Sequence, residues 1–229
     1  KIIPGESQPD SERVSSFVYP GGILAVHAEG RGKDEIWKAL KNKNVYGTSG
    51  PRILLWFDLI NSPEGQVPMG SEITMSQNPR FIIKAAGSFK QNPGCSNESI
   101  DSLSSERLEY LCAGECNNPS NEREVIEKIE IIKITPQIYA GEAVSPLIQD
   151  PWKSIPCQGS GECIVEFEDQ NFSRDSVYYV RALQNSTPAI NGSSLSQRDS
   201  FKLCKGSFKT DLTDDCLSMT KERAWSSPI

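Results

Sequence analysis

Histidine is nearly missing from this chain: there is one, His27, in 229 residues. A metal centre built on imidazoles needs more than one, and no H-x-H or D-x-H pair is present. Serine hydrolase chemistry is set aside on the same ground, because YGTSGPR at residues 46–52 lacks the final glycine of G-x-S-x-G and only His27 would be available as base. Long apolar runs are absent too. The longest, from Ile53 to Ile60, is broken by Asp58 and is far shorter than the roughly 20 residues that cross a bilayer. Positive charge is in deficit, with 24 Lys and Arg against 30 Asp and Glu and a formal net charge of -6, so no basic surface is expected to approach a phosphate backbone. The first 94 residues hold no cysteine. The opening KIIPGESQPDSERVSS has neither a charged start with an apolar core nor a small-residue cleavage site, so any export signal is expected upstream.

What the chain does hold is ordinary globular composition, 37% hydrophobic and 24% charged, and seven cysteines in its later part. Cys95, Cys112, Cys116, Cys157, Cys163, Cys204 and Cys216 sit in Gly-, Asn- and Asp-rich loops, where short bridges staple turns. Zinc prefers C-x2-C knuckles and redox catalysis a C-x-x-C opening a helix; neither spacing occurs. Disulfides are therefore expected, in a periplasmic or extracellular setting, with one cysteine left over.

Residues 1–20 read as a loop, followed by a strand over 22–28 and a helix whose first turn carries Asp34 and Glu35. Ile36, Trp37, Ala39 and Leu40 form its apolar stripe, and Gly47 and Gly50-Pro51 stop it. No earlier strand in the chain partners Ile23–Val26, so the sheet that shelters it is expected from elsewhere. From Ile53 onward the period changes to two: ILLWFDLI, RFIIKAAG, EKIEIIKIT, CIVEFE and SVYYVRALQ read as strands. The division is a strand-helix unit at 1–50, a β-sandwich-like domain at 51–190 with a Cys-rich insert at 91–121, and an extended tail at 191–229 anchored by Trp225. The fold class is α+β, mostly β. N-x-[ST] sequons begin at Asn97, Asn171, Asn185 and Asn191.

The strand-to-helix loop carries the candidate site. His27 ends the strand, where open α/β sheets and barrels place their chemistry. Glu29 and Arg31 follow, Gly30 and Gly32 allow close backbone approach, and the helix N-terminus offers unpaired N–H groups to an anion. His27 stands where a P-loop requires its first glycine, so that motif fails. The ordinary alternative is a histidine held by one hydrogen bond and glycines that serve a tight turn. Carboxylates at Glu142, Asp150, Glu166, Glu168 and Asp169 read as solvated faces or edge protection. Trp152, Tyr178 and Tyr179 would stack on sugars only by analogy with other sandwiches.

The runs PGGILAVHAEGRGKDEIWKALKNKNVYGTSGPRILLWFDL, PMGSEI, CAGECNNP, LIQDPW, CIVEFED, VYYVRALQNSTPAING and ERAWSSPI resemble a large, mostly uncharacterised bacterial family related to PHP-type metal-dependent phosphoesterases. The resemblance implies a distorted β/α barrel whose metal ligands lie mostly upstream, with residues 1–50 closing the barrel and the remainder forming a C-terminal β domain. It implies a divalent metal in the full-length protein and none held by this segment alone. His27, Glu29 and Arg31 would face the rim of the active site. Similar sequences tend to carry a cysteine near the place of Ser196, whose absence would explain the odd count. Two functions follow: the C-terminal part of a phosphoesterase-type hydrolase, or a non-enzymatic extracellular β-rich binding or assembly module. The expected partner is the barrel portion or another chain pairing with strand 22–28.

Overall fold

The computed structural model describes residues 21–112, 116–190 and 217–229. In chain order its first elements are β1 (Ile23–Val26), α1 (Lys33–Lys41), β2 (Val45–Thr48), β3 (Leu54–Ser62), β4 (Gly65–Pro68), β5 (Arg80–Ala86) and β6 (Phe89–Pro93). Then come α2 (Asn97–Ser102), α3 (Ser105–Cys112), β7 (Asn117–Arg123), β8 (Ile126–Ile134), β9 (Ile148–Pro156), β10 (Glu162–Glu168), β11 (Val177–Ile190) and β12 (Leu217–Ser226). The chain divides into two compact units.

The larger unit comprises Gly22–Ser88, Glu122–Asn185 and Glu222–Ile229. Its strands form one sheet in the order β1-β2-β12-β11-β8-β9 and another in the order β10-β5-β3-β4. Period two explains which residues go inside. On β3, Leu55, Phe57 and Leu59 are buried, as are Phe81, Ile83 and Ala85 on β5 and Cys163 and Phe167 on β10. They share one apolar core with Tyr46, Ile129, Ile131, Tyr178, Val180, Ala182 and Ala224 from the other sheet. The rings of Phe57, Phe81, Phe167 and Tyr178 run through its centre, each 4.7–5.2 Å from the next along Phe57-Phe81-Phe167 and 4.9 Å from Phe81 to Tyr178. Each such ring or aliphatic group withdrawn from water is worth about 2 kcal/mol.

The edges of the two sheets are tied where β9 gives way to β10. Cys157, one residue past β9, is bonded to Cys163 on β10, with Cα atoms 5.7 Å apart. Cys116 is also disulfide-bonded. Cys204, Cys216 and the Cys112 side chain lie outside the described residues, as do the expected loop at 1–20 and the sequon at Asn191.

Two expectations change. The strand at 22–28 does find its partner in this chain: β1, shorter than expected, pairs antiparallel with β2 in the register Ile23↔Thr48 to Val26↔Val45. The far edge of β2 pairs with β12, Ala224↔Thr48 to Ser226↔Tyr46. The partner of β1 thus follows it in sequence, across α1, and β2 in turn is flanked by a strand nearly the whole chain away. The second change concerns the barrel. Adjacent strands of a β/α barrel run parallel, whereas β1 and β2 are antiparallel across α1, and the described residues close no barrel. Trp225, expected as an anchor, lies on β12 opposite Gly47 with Arg223 5.8 Å from its ring.

The smaller unit includes Phe89–Asn121. Here β6 pairs with β7, and α2 and α3 lie between them in sequence. Ser96 caps α2 by accepting from Ser99 N–H at 3.3 Å, and the Asn118 amide donates to Gly94 O at 2.9 Å. A cleft of about 290 Å³ is lined by Cys95, Leu103, Leu108, Leu111, Cys116 and Pro119, among others.

Candidate functional site

The loop after β1 forms a cleft of about 170 Å³ lined by His27, Ala28, Glu29, Glu35, Lys38, Ala39, Asn42 and Asn44. Helix α1 builds one wall. Its acidic first turn and basic last turn complement the helix dipole, and the chain leaves through Lys43 in the left-handed conformation at φ 58°. The backbone then returns beside the strand end, and His27 N–H donates to Asn44 O at 2.9 Å.

His27 points across the cleft floor rather than into open solvent. Its Nε2 lies 2.8 Å from Leu55 O. A carbonyl only accepts, so Nε2 carries the proton. The imidazole packs between Tyr46 and Trp56, with ring centroids 5.3 and 5.6 Å away. Burial pushes the Tyr46 phenol pKa up, and a hydrogen bond with the backbone of Leu55 partly offsets this. His27 and Tyr46 together satisfy the backbone of Leu55, on the side of β3 where β4 does not reach: the β3–β4 register begins at Asp58↔Pro68.

Of the three residues expected at the rim, the structure brings His27 and Glu29 into this cleft and leaves Arg31 exposed on the loop outside its lining. Glu29 stands 3.7 Å from Lys38, both largely in water, a pairing worth ~0.5 kcal/mol. The helix N-terminus has no side-chain cap hydrogen bond, but the space over it is taken. The Glu35 carboxylate folds back over the loop, so that a Cβ placed on Gly32 would fall 2.2 Å from Glu35 Oε2. An anion arriving there meets Glu35 first, and displacing it costs the helix its own first-turn charge. The arrangement can donate and accept hydrogen bonds and place one ammonium beside two carboxylates. Among the described residues no three His, Cys, Asp or Glu side chains gather as metal ligands.

The other carboxylates separate. Glu166 is exposed and 3.8 Å from Arg80, in keeping with edge protection. Asp169 is not a solvated edge residue: it is 0% exposed, 2.5 Å from both Lys133 Nζ and Tyr178 Oη, and accepts from Asn171 N–H at 3.1 Å. Burial alone would raise its pKa. The hydrogen bonds from Lys133, Tyr178 and the Asn171 backbone, with the lysine charge, outweigh burial and hold it below the usual carboxylate range. The same burial and the hydrogen bond to Asp169 drive the Tyr178 phenol far up. Glu142 takes both arms of Arg174, and Asp150 pairs with Arg181, which also reaches Glu130. Of the aromatic residues weighed for sugar stacking, Trp152 has Lys153 Nζ 4.3 Å and Lys133 Nζ 5.3 Å from its ring centroid, Tyr178 is buried, and Tyr179 is half-buried. No local pattern announced the Asp169–Lys133 or Glu142–Arg174 pairs, since each joins residues more than 30 positions apart.

A family described as "Protein of unknown function (DUF3604)" matches residues 5–93, less than half of the chain and including β1 to β6. No curated protein and no solved structure matches.

Proposed function

We propose that this chain is the C-terminal, β-rich part of a larger metal-dependent hydrolase of the phosphoesterase type, in which a PHP-like barrel upstream carries the catalytic centre. The reading is supported by the motif resemblance that runs from Pro20 to Ile229. The single observation that carries a role for this segment is the polar cleft at the end of β1, where His27, Glu29, Lys38 and Asn44 converge beside a helix N-terminus. On this reading the cleft borders the active site and Glu29 and Arg31 contact polar groups of the substrate. The divalent metal, which would activate water, is assigned to the part of the protein outside this chain, because the described residues offer no ligand set. The Cys157–Cys163 bond supports a periplasmic or extracellular setting.

The test is turnover of a phosphoester by the full-length protein carrying Glu29→Gln or Arg31→Met. Losing a hydrogen bond to a charged group should lower kcat/KM by about 10–100-fold. Unaltered kinetics in both variants removes these residues from the site. His27→Ala is uninformative alone, since it also strips Leu55 O of its donor.

A second reading, a non-enzymatic binding or assembly module, is favoured by one observation. β1 is the edge strand of its sheet among the described residues, and its Ile23 and Leu24 are 41% and 59% exposed. An open edge with apolar side chains takes another strand. Inert behaviour toward phosphoesters, combined with capture of a second chain along residues 23–26, would favour it.

A further inference from the structure

The connection between β8 and β9, residues 135–147, holds large apolar side chains out in water. Ile138 is 71% and Tyr139 62% exposed, and Val144 and Ile148 stand half out beside them. Single exposed apolar residues are normal on any surface. Three within seven positions on a loop this firmly braced, with Ile148 at the start of β9 as a fourth, are not. Thr135 N–H donates to Leu147 O at 2.9 Å and closes the base of the loop. Inside it, Glu142 acts as a hub. Its Oε1 accepts from Arg174 Nη1 at 2.9 Å, its Oε2 from Arg174 Nη2 at 3.1 Å and from Ile138 N–H at 2.9 Å, and its carbonyl from the Gln137 amide at 2.6 Å. Arg174 also donates to Pro136 O. The conformation is thus fixed in advance, which removes most of the ordering cost of docking.

We infer that the tip formed by Ile138, Tyr139 and Val144 is where this β-rich part seats against an uncharged, apolar surface on the upstream portion of the same polypeptide. The inference rests on the reading that the chain belongs to a larger hydrolase. The chemistry of the partner follows from charge. Glu142 is the one ionised side chain on the loop and Arg174 consumes it, so the tip offers no ion to a charged partner. Asp175, the residue after Arg174, is negative and acts on the same guanidinium. The tether follows from size. A free-standing complex needs ~800 Å² per partner, more than a few side chains on a convex tip supply. A covalently linked partner, at an effective concentration near the millimolar range, needs far less. A second copy would bring another net charge of -6 toward the same small patch.

The experiment is tyrosine nitration of the full-length protein, read by peptide mass, with Tyr110 as internal reference. Tyr110 is 78% exposed and also has an arginine near its ring, Arg107 at 5.5 Å. Docking predicts Tyr139 nitrated about fivefold or more slowly than Tyr110. It predicts that Glu142→Gln, which unlocks the loop without touching the core, brings the rates together. Equal rates in the wild-type protein overturn the inference. So does protection that disappears on dilution, the mark of a second copy, or protection that appears only with phosphatidylcholine vesicles, the mark of a lipid surface. Phosphoester turnover is assayed on the same sample. Protection without turnover sinks the hydrolase reading and keeps the docking, whereas turnover with an open Tyr139 does the reverse.

Discussion

At the scale of single residues, Asp169 is the most consequential group outside the cleft. It is a buried carboxylate whose charge is held by Lys133, Tyr178 and a backbone N–H. Its folded-state pKa lies below the unfolded value, so its contribution to stability is present above the unfolded pKa of about 3.9 and is lost as the pH falls through the depressed folded value. Replacing it with Asn keeps the shape and strands the Lys133 ammonium, which is 12% exposed. Urea unfolding at pH 7 should show Asp169→Asn less stable by about 3 kcal/mol, with a flatter acid limb than the wild type. An unchanged acid limb would mean the titration lies elsewhere. His27 teaches a related lesson. Sequence placed it at a strand end, which is where it is, but the carbonyl it serves belongs to a strand 28 residues later, and no spacing rule connects the two.

At the scale of elements, the strands were legible where one face is buried and the other is not. ILLWFDLI became β3, RFIIKAAG β5, CIVEFE β10, and the apolar stripe from Ile36 to Leu40 fell within α1. What stayed hidden were elements made by pairing rather than by pattern. β7, with sequence NNPSNER, has no apolar alternation and exists as the partner of β6. β9 carries prolines at 151 and 156 and is tolerated because it is an edge strand. Gly70, inside the PMGSEI run, shows how a short motif serves several elements together. Its φ is +90°, its N–H donates to Pro228 O at 2.8 Å, and a Cβ there would lie 2.5 Å from the carbonyl oxygens of Asn42 and Lys43 at the end of α1. Backbone atoms cannot step aside as a side chain can. Gly70→Ala should therefore lose at least ~3 kcal/mol, seen as a lower Tm, while Gly65→Ala, with open space around its Cβ, should lose less. Equal losses at the two positions would show that conformation alone, and not the contact with α1, requires the glycine.

For the molecule as a whole, two disulfides are evident, Cys157–Cys163 and the one that holds Cys116. Together they consume four of seven cysteines. Thiol titration of the unreduced, denatured chain should count three or one. A count of five or seven would contradict the structure. Reduction should cost the larger unit about 2 kcal/mol, the lower range for a short bridged loop, since Cys163 is otherwise well packed at 5% exposure. That disulfides would form was legible in the sequence without any geometry, through the loop-rich surroundings of the cysteines.

The position of β2 between β1 and β12 sets a timetable for biosynthesis. Residues 45–48 are bonded on one side to a strand made just before them and on the other to residues 224–226. At the usual 5–20 residues per second, the ribosome takes about 10–35 s to supply the second neighbour. During that interval the half-built sheet shows an open flank, and the contacts that close it are among the most sequence-distant in the chain, the kind that form slowly. Until residues 224–226 emerge, β2 has only one of its two neighbours to bond with.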